Sequence, residues 1–121
     1  MAKYVDGYVI PIKKKNVRAY KKMAALGCKM WMKYGALDYY ECAGDDLKVK
    51  WGWTFPRMCK LKSGETAIFA FIVYKSKAHR NQVNAKVMKD AQMHEAMQGM
   101  KMPFDMKRFA MGGFKVLVQA K

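Results

Sequence analysis

The longest apolar stretch of the chain runs from Ala67 to Tyr74, where the tyrosine hydroxyl is the one polar side-chain group. A β-strand points alternate side chains to opposite faces of its sheet, so a strand that is apolar throughout is covered on both faces. The helices of a 121-residue chain can cover one face of a small sheet, and the other face then needs a partner. The pattern therefore predicts a buried strand and a homodimer.

The first third of the chain alternates and then changes to a helical period. Alternation over Lys3–Ile12 predicts a first strand. Apolar residues at spacings of three and four over Val17–Tyr34 predict an amphipathic helix. Asn16 is the expected N-cap of this helix, and Gly35 is the expected end. A second strand is predicted over Ala36–Ala43.

The segment between Gly44 and Glu65 is too long for a structureless loop in a small domain. Apolar and aromatic residues alternate with polar residues or glycine over residues 49–55, and Pro56 follows. This alternation predicts an inserted strand with one aromatic face and one polar face.

The last third of the chain repeats the change from strand to helix. Ser76 is the expected N-cap of a second helix that continues to about Asp90, and a shorter helix is predicted over Ala91–Met97. A final strand is predicted over Lys107–Gln119, with a β-bulge at Gly112–Gly113.

The predicted order is strand, helix, strand, then strand, helix, strand again, with the aromatic strand inserted in the first half. This order is the split βαβ repeat of the ferredoxin-like fold, in the α+β class. It predicts one domain over residues 1–121, with an antiparallel sheet and helices on one of its faces. Two such sheets packed face to face would form a dimeric α/β barrel.

The charge of the chain is strongly unbalanced, because 24 Lys and Arg residues against nine Asp and Glu residues give +15. Such a charge attracts polyanions, although it is equally the property of a generally basic, solvated surface. The apolar runs are far shorter than the roughly 20 residues that span a bilayer. The N-terminus also lacks the apolar segment of a secretory signal. We therefore expect no membrane association and a cytoplasmic location.

The cysteines are odd in number and widely spaced, at Cys28, Cys42 and Cys59. Their spacing does not suit zinc, so they are interpreted as reduced thiols in a cytosolic protein. A methionine-rich segment around Met93 and His94 contains ligands that Cu(I) prefers, but nothing in its spacing defines a coordination geometry. We therefore predict no metal site and no cofactor.

Short segments that follow one another over essentially the whole chain carry a resemblance to a known family. They are Tyr4–Tyr8, Gly35–Leu37, Glu41–Asp46, Phe55–Arg57, Gly64–Thr66, Ala78–Arg80, Asn84–Met88, Pro103–Asp105, Lys107–Arg108 and Gly112–Phe114. On these segments the chain resembles the YbaA-like family of small bacterial proteins, whose shared domain has no assigned function. The resemblance implies a ferredoxin-like subunit of a dimeric α/β barrel. The wider superfamily includes small monooxygenases, haem-handling enzymes and ligand-binding domains, so the resemblance implies no single function.

Four polar side chains are the best candidates for a ligand pocket between sheet and helices: Asp6, Glu41, His79 and Arg80. An aspartate on a strand needs a partner, and Asp6 could pair with Arg80 or His79. The alternatives are a purely structural ion pair for Asp6, a solvent-facing edge position for Glu41, and a surface or capping role for His79. Catalytic residues cannot be assigned from this set, because it matches no known triad.

The predicted aromatic strand carries a second candidate site at Trp51 and Trp53. Aromatic residues between lysines can stack on the bases of single-stranded nucleic acid. The alternative is that this aromatic face covers a sheet edge or the dimer contact.

Three functional hypotheses remain for this chain. The first is a dimeric barrel that binds a small, anionic or aromatic molecule between sheet and helices, with cofactor-independent monooxygenase activity as an enzymatic variant. The second is a basic protein that binds nucleic acid through the Lys/Trp strand. The third is a structural or regulatory dimer without a small ligand.

Overall fold

The computed structural model describes residues 2–120 and contains a four-stranded antiparallel sheet. The strands are β1 (Tyr4–Lys13), β2 (Asp38–Ala43), β3 (Glu65–Tyr74) and β4 (Ala110–Lys115), in the order β2-β3-β1-β4. The helices are a 3₁₀ turn (Lys14–Asn16), α1 (Val17–Lys33), α2 (Phe55–Met58), α3 (Lys77–Met88) and α4 (Ala91–Met97). The predicted ferredoxin-like α+β fold with an antiparallel sheet is confirmed. In the part of the chain described here, no helix is long and apolar enough to cross a bilayer.

Helix boundaries agree with the predicted signals in most places. The Ser76 hydroxyl accepts a hydrogen bond from the His79 backbone N–H at 3.1 Å and so caps α3. Gly35 follows α1 with a φ of +109°, a conformation that favours glycine. Asn16 does occupy the N-cap position of α1, but its side chain makes no capping bond and instead donates to the Pro103 carbonyl.

The core lies between the sheet and the helices, in two adjoining clusters. One cluster contains Ile10, Ile12, Tyr20, Ala24, Ile68 and Ala70, and the other contains Met30, Ala36, Ile72, Tyr74, Val83 and Val87. The second cluster joins α1 and α3 to β3, because Val83 and Val87 lie one helical turn apart on α3. Alternate residues of β1 and β3 therefore face the helices, as the apolar run predicts.

The predicted strand over residues 49–55 is wrong. These residues form turns and irregular structure, and the short helix α2 begins at Phe55. Gly52 has a φ of +59°, which interrupts an extended backbone, and the Thr54 hydroxyl accepts a bond from the Arg57 N–H as the cap of α2. Pro56 lies in the first turn of this helix, where its missing N–H is tolerated. The alternating residues therefore lie in an irregular segment that leads into a short helix, and they do not form a strand.

The final strand is shorter than predicted and contains no bulge. Gly112 pairs with Gly7, and Gly113 pairs with Asp6, in an uninterrupted register. Gly113 instead allows a side chain to lie close to the backbone, because a Cβ at this position would lie 2.7 Å from ring atoms of Tyr4. Glycine at this position therefore lets the Tyr4 ring lie over β4.

An ion pair between Arg108 and Glu65 connects the segment before β4 to the start of β3. Arg108 Nη1 lies 2.7 Å from Glu65 Oε2, and Nη2 lies 2.9 Å from Oε1. The side chains are 22% and 7% exposed. Hydrogen bonds from Arg108, with a further bond from the Lys62 backbone, lower the pKa of Glu65 to about 2.

Acid is therefore expected to weaken the fold through Glu65. The pKa of Glu65 in the folded state lies below its usual value of 4.5. The ionised Glu65 carboxylate therefore stabilises the fold above pH 4.5, and this stabilisation is lost as the pH falls toward 2. Urea unfolding between neutral and acidic pH should show a smaller acid-dependent loss in Glu65→Gln than in the wild type. Glu95→Gln, on the exposed side of α4, is the control. Parallel pH profiles for Glu65→Gln and the wild type would contradict this account.

Candidate functional site

A row of side chains crosses the helix-facing side of the sheet and defines the site. Glu41 pairs with Ala70, Ala70 pairs with Tyr8, and Tyr8 pairs with Met111 across neighbouring strands. Residues directly opposite each other in a sheet point to the same face. The small side chain of Ala70 therefore leaves a gap between Glu41 and Tyr8.

Small residues on α1 face this gap from the other side. Gly27 and Ala24 are buried and line the same space. A Cβ at Gly27 would lie 2.9 Å from the Tyr39 hydroxyl, so the glycine allows the tyrosine to lie close against the helix. Small residues on both layers thus produce a cavity between sheet and helices.

The cavity has a volume of about 490 Å³, which is within the range of small-molecule sites. Its wall is mostly apolar and contains methionines from several elements: Met23, Met88, Met93, Met97, Met102, Met106 and Met111. Aromatic side chains also line it, namely Tyr8, Tyr20, Trp31, Tyr39, Phe104 and Phe109. Methionine is flexible and polarisable, so this wall can adapt to the shape of a bound molecule.

Glu41 is the one acidic side chain among the residues that line this cavity. Its Oε1 accepts a hydrogen bond from the Tyr20 hydroxyl, and its Oε2 accepts one from the Tyr39 hydroxyl, each at 2.6 Å. Burial, together with the hydrogen bond to Glu41, raises the pKa of both tyrosines, so they remain protonated and donate. Since both oxygens accept bonds, the geometry is that of a carboxylate.

Tyr8 lies across Ala70 from Glu41 and is partly buried. Burial, followed by the nearby charges of Asp6 and Glu41, raises the pKa of Tyr8 to about 12. Asn84 on α3 also lines the cavity, and its Oδ1 accepts a hydrogen bond from Trp31 Nε1 at 2.9 Å. The cavity therefore presents neutral phenols and an amide around a single carboxylate.

Asp6 and Arg80 form a separate ion pair on the helix-facing side of β1. Arg80 Nη1 donates to Asp6 Oδ1 at 2.8 Å, and the Asp6 side chain is fully buried. The guanidinium also lies over the Tyr4 ring, 5.0 Å from its centroid. Burial raises the pKa of Asp6, and the charge of Arg80 opposes this rise. Asp6 Oδ2 has no hydrogen-bond partner among residues 2–120.

His79 does not line the cavity, and the four predicted pocket residues do not form one group. Its Nδ1 accepts a hydrogen bond from the Lys75 N–H at 3.0 Å, and its ring contacts Tyr74 edge-on. The structure brings Asp6 and Arg80 together, and only Glu41 of the predicted four lines the cavity. Sequence reasoning missed Tyr20 and Tyr39, although Tyr39 lies two residues before Glu41 and thus on the same face of β2.

Trp51 and Trp53, the candidate stacking residues, lie on the irregular segment before α2. Their side chains are 85% and 63% exposed. The Arg57 guanidinium lies 4.2 Å from the Trp53 ring centroid and so occupies one face of that ring. The strand geometry on which base stacking was predicted is absent from this segment, and nucleic-acid binding stays a prediction.

His94 lies among the methionines that the sequence singled out, in a surface pocket that Met88, Met93 and Met97 also line. His94 Nε2 is hydrogen-bonded to the Met88 carbonyl. Within residues 2–120, His, Cys, Asp and Glu form no group of three or more that could hold a metal. The three cysteines are free thiols.

The opposite face of the sheet is apolar and exposed. Tyr40, Phe69 and Phe114 on this face are 53%, 48% and 61% exposed. Tyr40 stacks on Phe71 with ring centroids 5.2 Å apart. We call this surface, which spans Tyr40, Phe69, Phe71 and Phe114, the open face. An apolar patch of this kind marks an interaction surface.

Comparisons with known proteins identify relatives over nearly the whole chain. The sequence model of a family described as a protein of unknown function, DUF1428, matches residues 3–106. The chain is 36% identical over 116 residues to the protein YbaA of Escherichia coli K12, described as uncharacterized, covering 96% of this chain and 97% of that protein. The YbaA protein of Shigella flexneri has the same identity and coverage.

A solved structure shares the fold at low sequence identity. It is a dimeric ferredoxin-like protein from an uncultured marine organism, with a TM-score of 0.56 and 12% identity. The match covers 99% of this chain and all of the other. At this identity the likeness concerns the fold alone.

Proposed function

We propose that this chain, which belongs to the DUF1428 family of proteins of unknown function, binds a small, largely apolar molecule in the cavity between its sheet and helices. The observation that carries the proposal is the Glu41 carboxylate, bonded to two tyrosines, within an otherwise apolar cavity of about 490 Å³. A few polar groups placed in an apolar concave wall are typical of small-molecule sites.

The alternative of a structural dimer without a ligand is less well supported. The concave wall of this cavity is mostly apolar, and its apolar surface is exposed to water unless a molecule covers it. Ala70 and Gly27 keep the space open from two layers. Monooxygenase chemistry stays a prediction from family resemblance, since no step of it follows from these residues.

We further infer that the binding unit is a homodimer formed through the open face. The large aromatic side chains on the open face are exposed to water, and a second subunit would bury them. The marine ferredoxin-like structure that shares this fold is described as dimeric. In this proposal β1-α1-β2 and β3-α3-β4 form the split βαβ repeat, and two sheets face each other in an α/β barrel. The helix-side cavity then remains accessible in each subunit.

Filling the cavity tests the proposed function. The probe is N-phenyl-1-naphthylamine, a neutral apolar dye whose fluorescence rises in apolar sites. We expect Ala70→Leu to reduce dye binding about tenfold or more, because the new side chain occupies the gap between Glu41 and Tyr8. Ala85→Leu, on an exposed position of α3, should bind as the wild type does. Unchanged binding in Ala70→Leu, or no binding in the wild type, would contradict the proposal.

A further inference from the structure

We propose that the ligand of this cavity is an aromatic or aliphatic amine, whose protonated nitrogen binds the Glu41 carboxylate. This inference rests on the proposed function and adds the chemical class of the ligand. It departs from the anionic alternative of the sequence-based hypothesis, which named an anionic or aromatic molecule.

The hydrogen-bonding capacity of Glu41 is only half used. An ionised carboxylate has about four lone-pair positions. The Tyr20 and Tyr39 hydroxyls each take one, on different oxygens. Tyr20, Tyr39 and Glu41 all line the cavity, so one further position on each carboxylate oxygen remains for a donor within it.

Glu41 also lacks a cationic partner in a chain that is rich in cations. Among residues 2–120, the ion pairs that involve carboxylates are those of Asp6, Glu65 and Asp90. Glu41 is partly buried, and neutral tyrosine hydroxyls are its hydrogen-bond partners. Its charge is therefore available to pair with a cation that a ligand brings into the cavity.

The cavity wall suits an organic cation better than a metal ion or an anion. Tyr39 donates to the carboxylate, and its ring centroid lies 6.5 Å from that of Trp31, which also lines the cavity. Aromatic rings attract cations through their negative faces. The methionine side chains offer polarisable contacts for the apolar part of the molecule. A carboxylate or phosphate ligand would instead lie against Glu41, where like charges repel strongly in a low-dielectric site.

Three indoles of similar shape and different charge test this inference in the wild-type protein. They are tryptamine as the cation, 3-ethylindole as the neutral molecule and indole-3-acetate as the anion, compared by calorimetric titration at physiological salt. We expect tryptamine to bind about tenfold or more tightly than 3-ethylindole, because it adds an ion pair and cation–π contacts. Indole-3-acetate should bind more weakly than 3-ethylindole.

A matched pair of variants locates the effect. Glu41→Gln should still bind 3-ethylindole but should lose the preference for tryptamine over 3-ethylindole. Glu95→Gln, on the exposed side of α4, should keep the preference for tryptamine. Equal affinities for the cation and the neutral indole in the wild type would overturn the inference but leave the proposed function intact. Failure of all three indoles to bind the wild type would count against both. The wild-type series decides the matter even if Glu41→Gln does not fold.

Discussion

Arg80→Met is expected to lower the free energy of unfolding by about 3 kcal/mol at neutral pH, because removing one partner of a buried ion pair leaves an uncompensated charge. Asp6 is fully buried, and Arg80 is only 17% exposed. Oδ2 of Asp6 already lacks a partner among residues 2–120, so the loss of Arg80 leaves the carboxylate with little remaining compensation. Urea unfolding monitored by tryptophan fluorescence measures the effect.

The pH dependence of this variant identifies its cause. Burial raises the pKa of Asp6 above its usual value, and loss of Arg80 raises it further. A raised pKa in the folded state means that protonation stabilises the fold, so the difference from the wild type should shrink as the pH falls through that pKa.

Two further variants separate charge from packing. Asp6→Asn combined with Arg80→Met should recover most of the lost stability, because no buried charge then remains. Arg18→Met, at an exposed position on α1, should change stability little. A loss in Arg80→Met that neither shrinks with acid nor recovers in the double variant would mean that Arg80 acts through packing alone.

Phe69→Asp is expected to convert the proposed dimer into a monomer, raising the dissociation constant about a hundredfold or more. Phe69 lies on the open face next to Phe71, with ring centroids 5.9 Å apart, and is 48% exposed. A charge buried in an apolar interface has no partner there, and buried aromatic residues carry much of the binding energy of an interface. Sedimentation velocity at micromolar concentration measures the change.

The control for this variant lies on the other layer of the molecule. Met32 on α1 is similarly exposed, at 43%, so Met32→Asp introduces the same charge at an apolar site away from the open face. It should remain dimeric. A wild-type protein that sediments as a monomer, or a Phe69→Asp variant that still dimerises, would contradict the inferred interface.

The regular elements could be predicted because their periods are set by local geometry. The apolar run over Ala67–Tyr74 lies within β3, and the stripe over Val17–Tyr34 matches α1 to within a residue. The segment over residues 49–55 could not be predicted by alternation alone. Gly52, Thr54 and Pro56 carried the turn and helix-start signals there, and these signals outweighed the period of two.

The candidate site was only partly predictable, for a different reason. Glu41 and Tyr39 share a face of β2 by spacing alone, so their contact could have been foreseen. The contribution of Tyr20 depends on how α1 packs across the sheet, and Gly27 permits that packing through its contact with Tyr39. Such long-range contacts are not encoded in local periodicity. The same limit explains why Asp6 and Arg80 were predicted beside Glu41 but form a separate pair.

Native mass spectrometry of the protein purified from its own host tests the central claim most directly. The account predicts a dimer in which each subunit carries a small apolar amine that is released by mild activation. The Ala70→Leu variant, expressed in the same host, should be a dimer without this adduct. A wild-type protein that is bare under the gentlest conditions, or an adduct that persists unchanged in Ala70→Leu, would contradict a ligand bound in the cavity between sheet and helices.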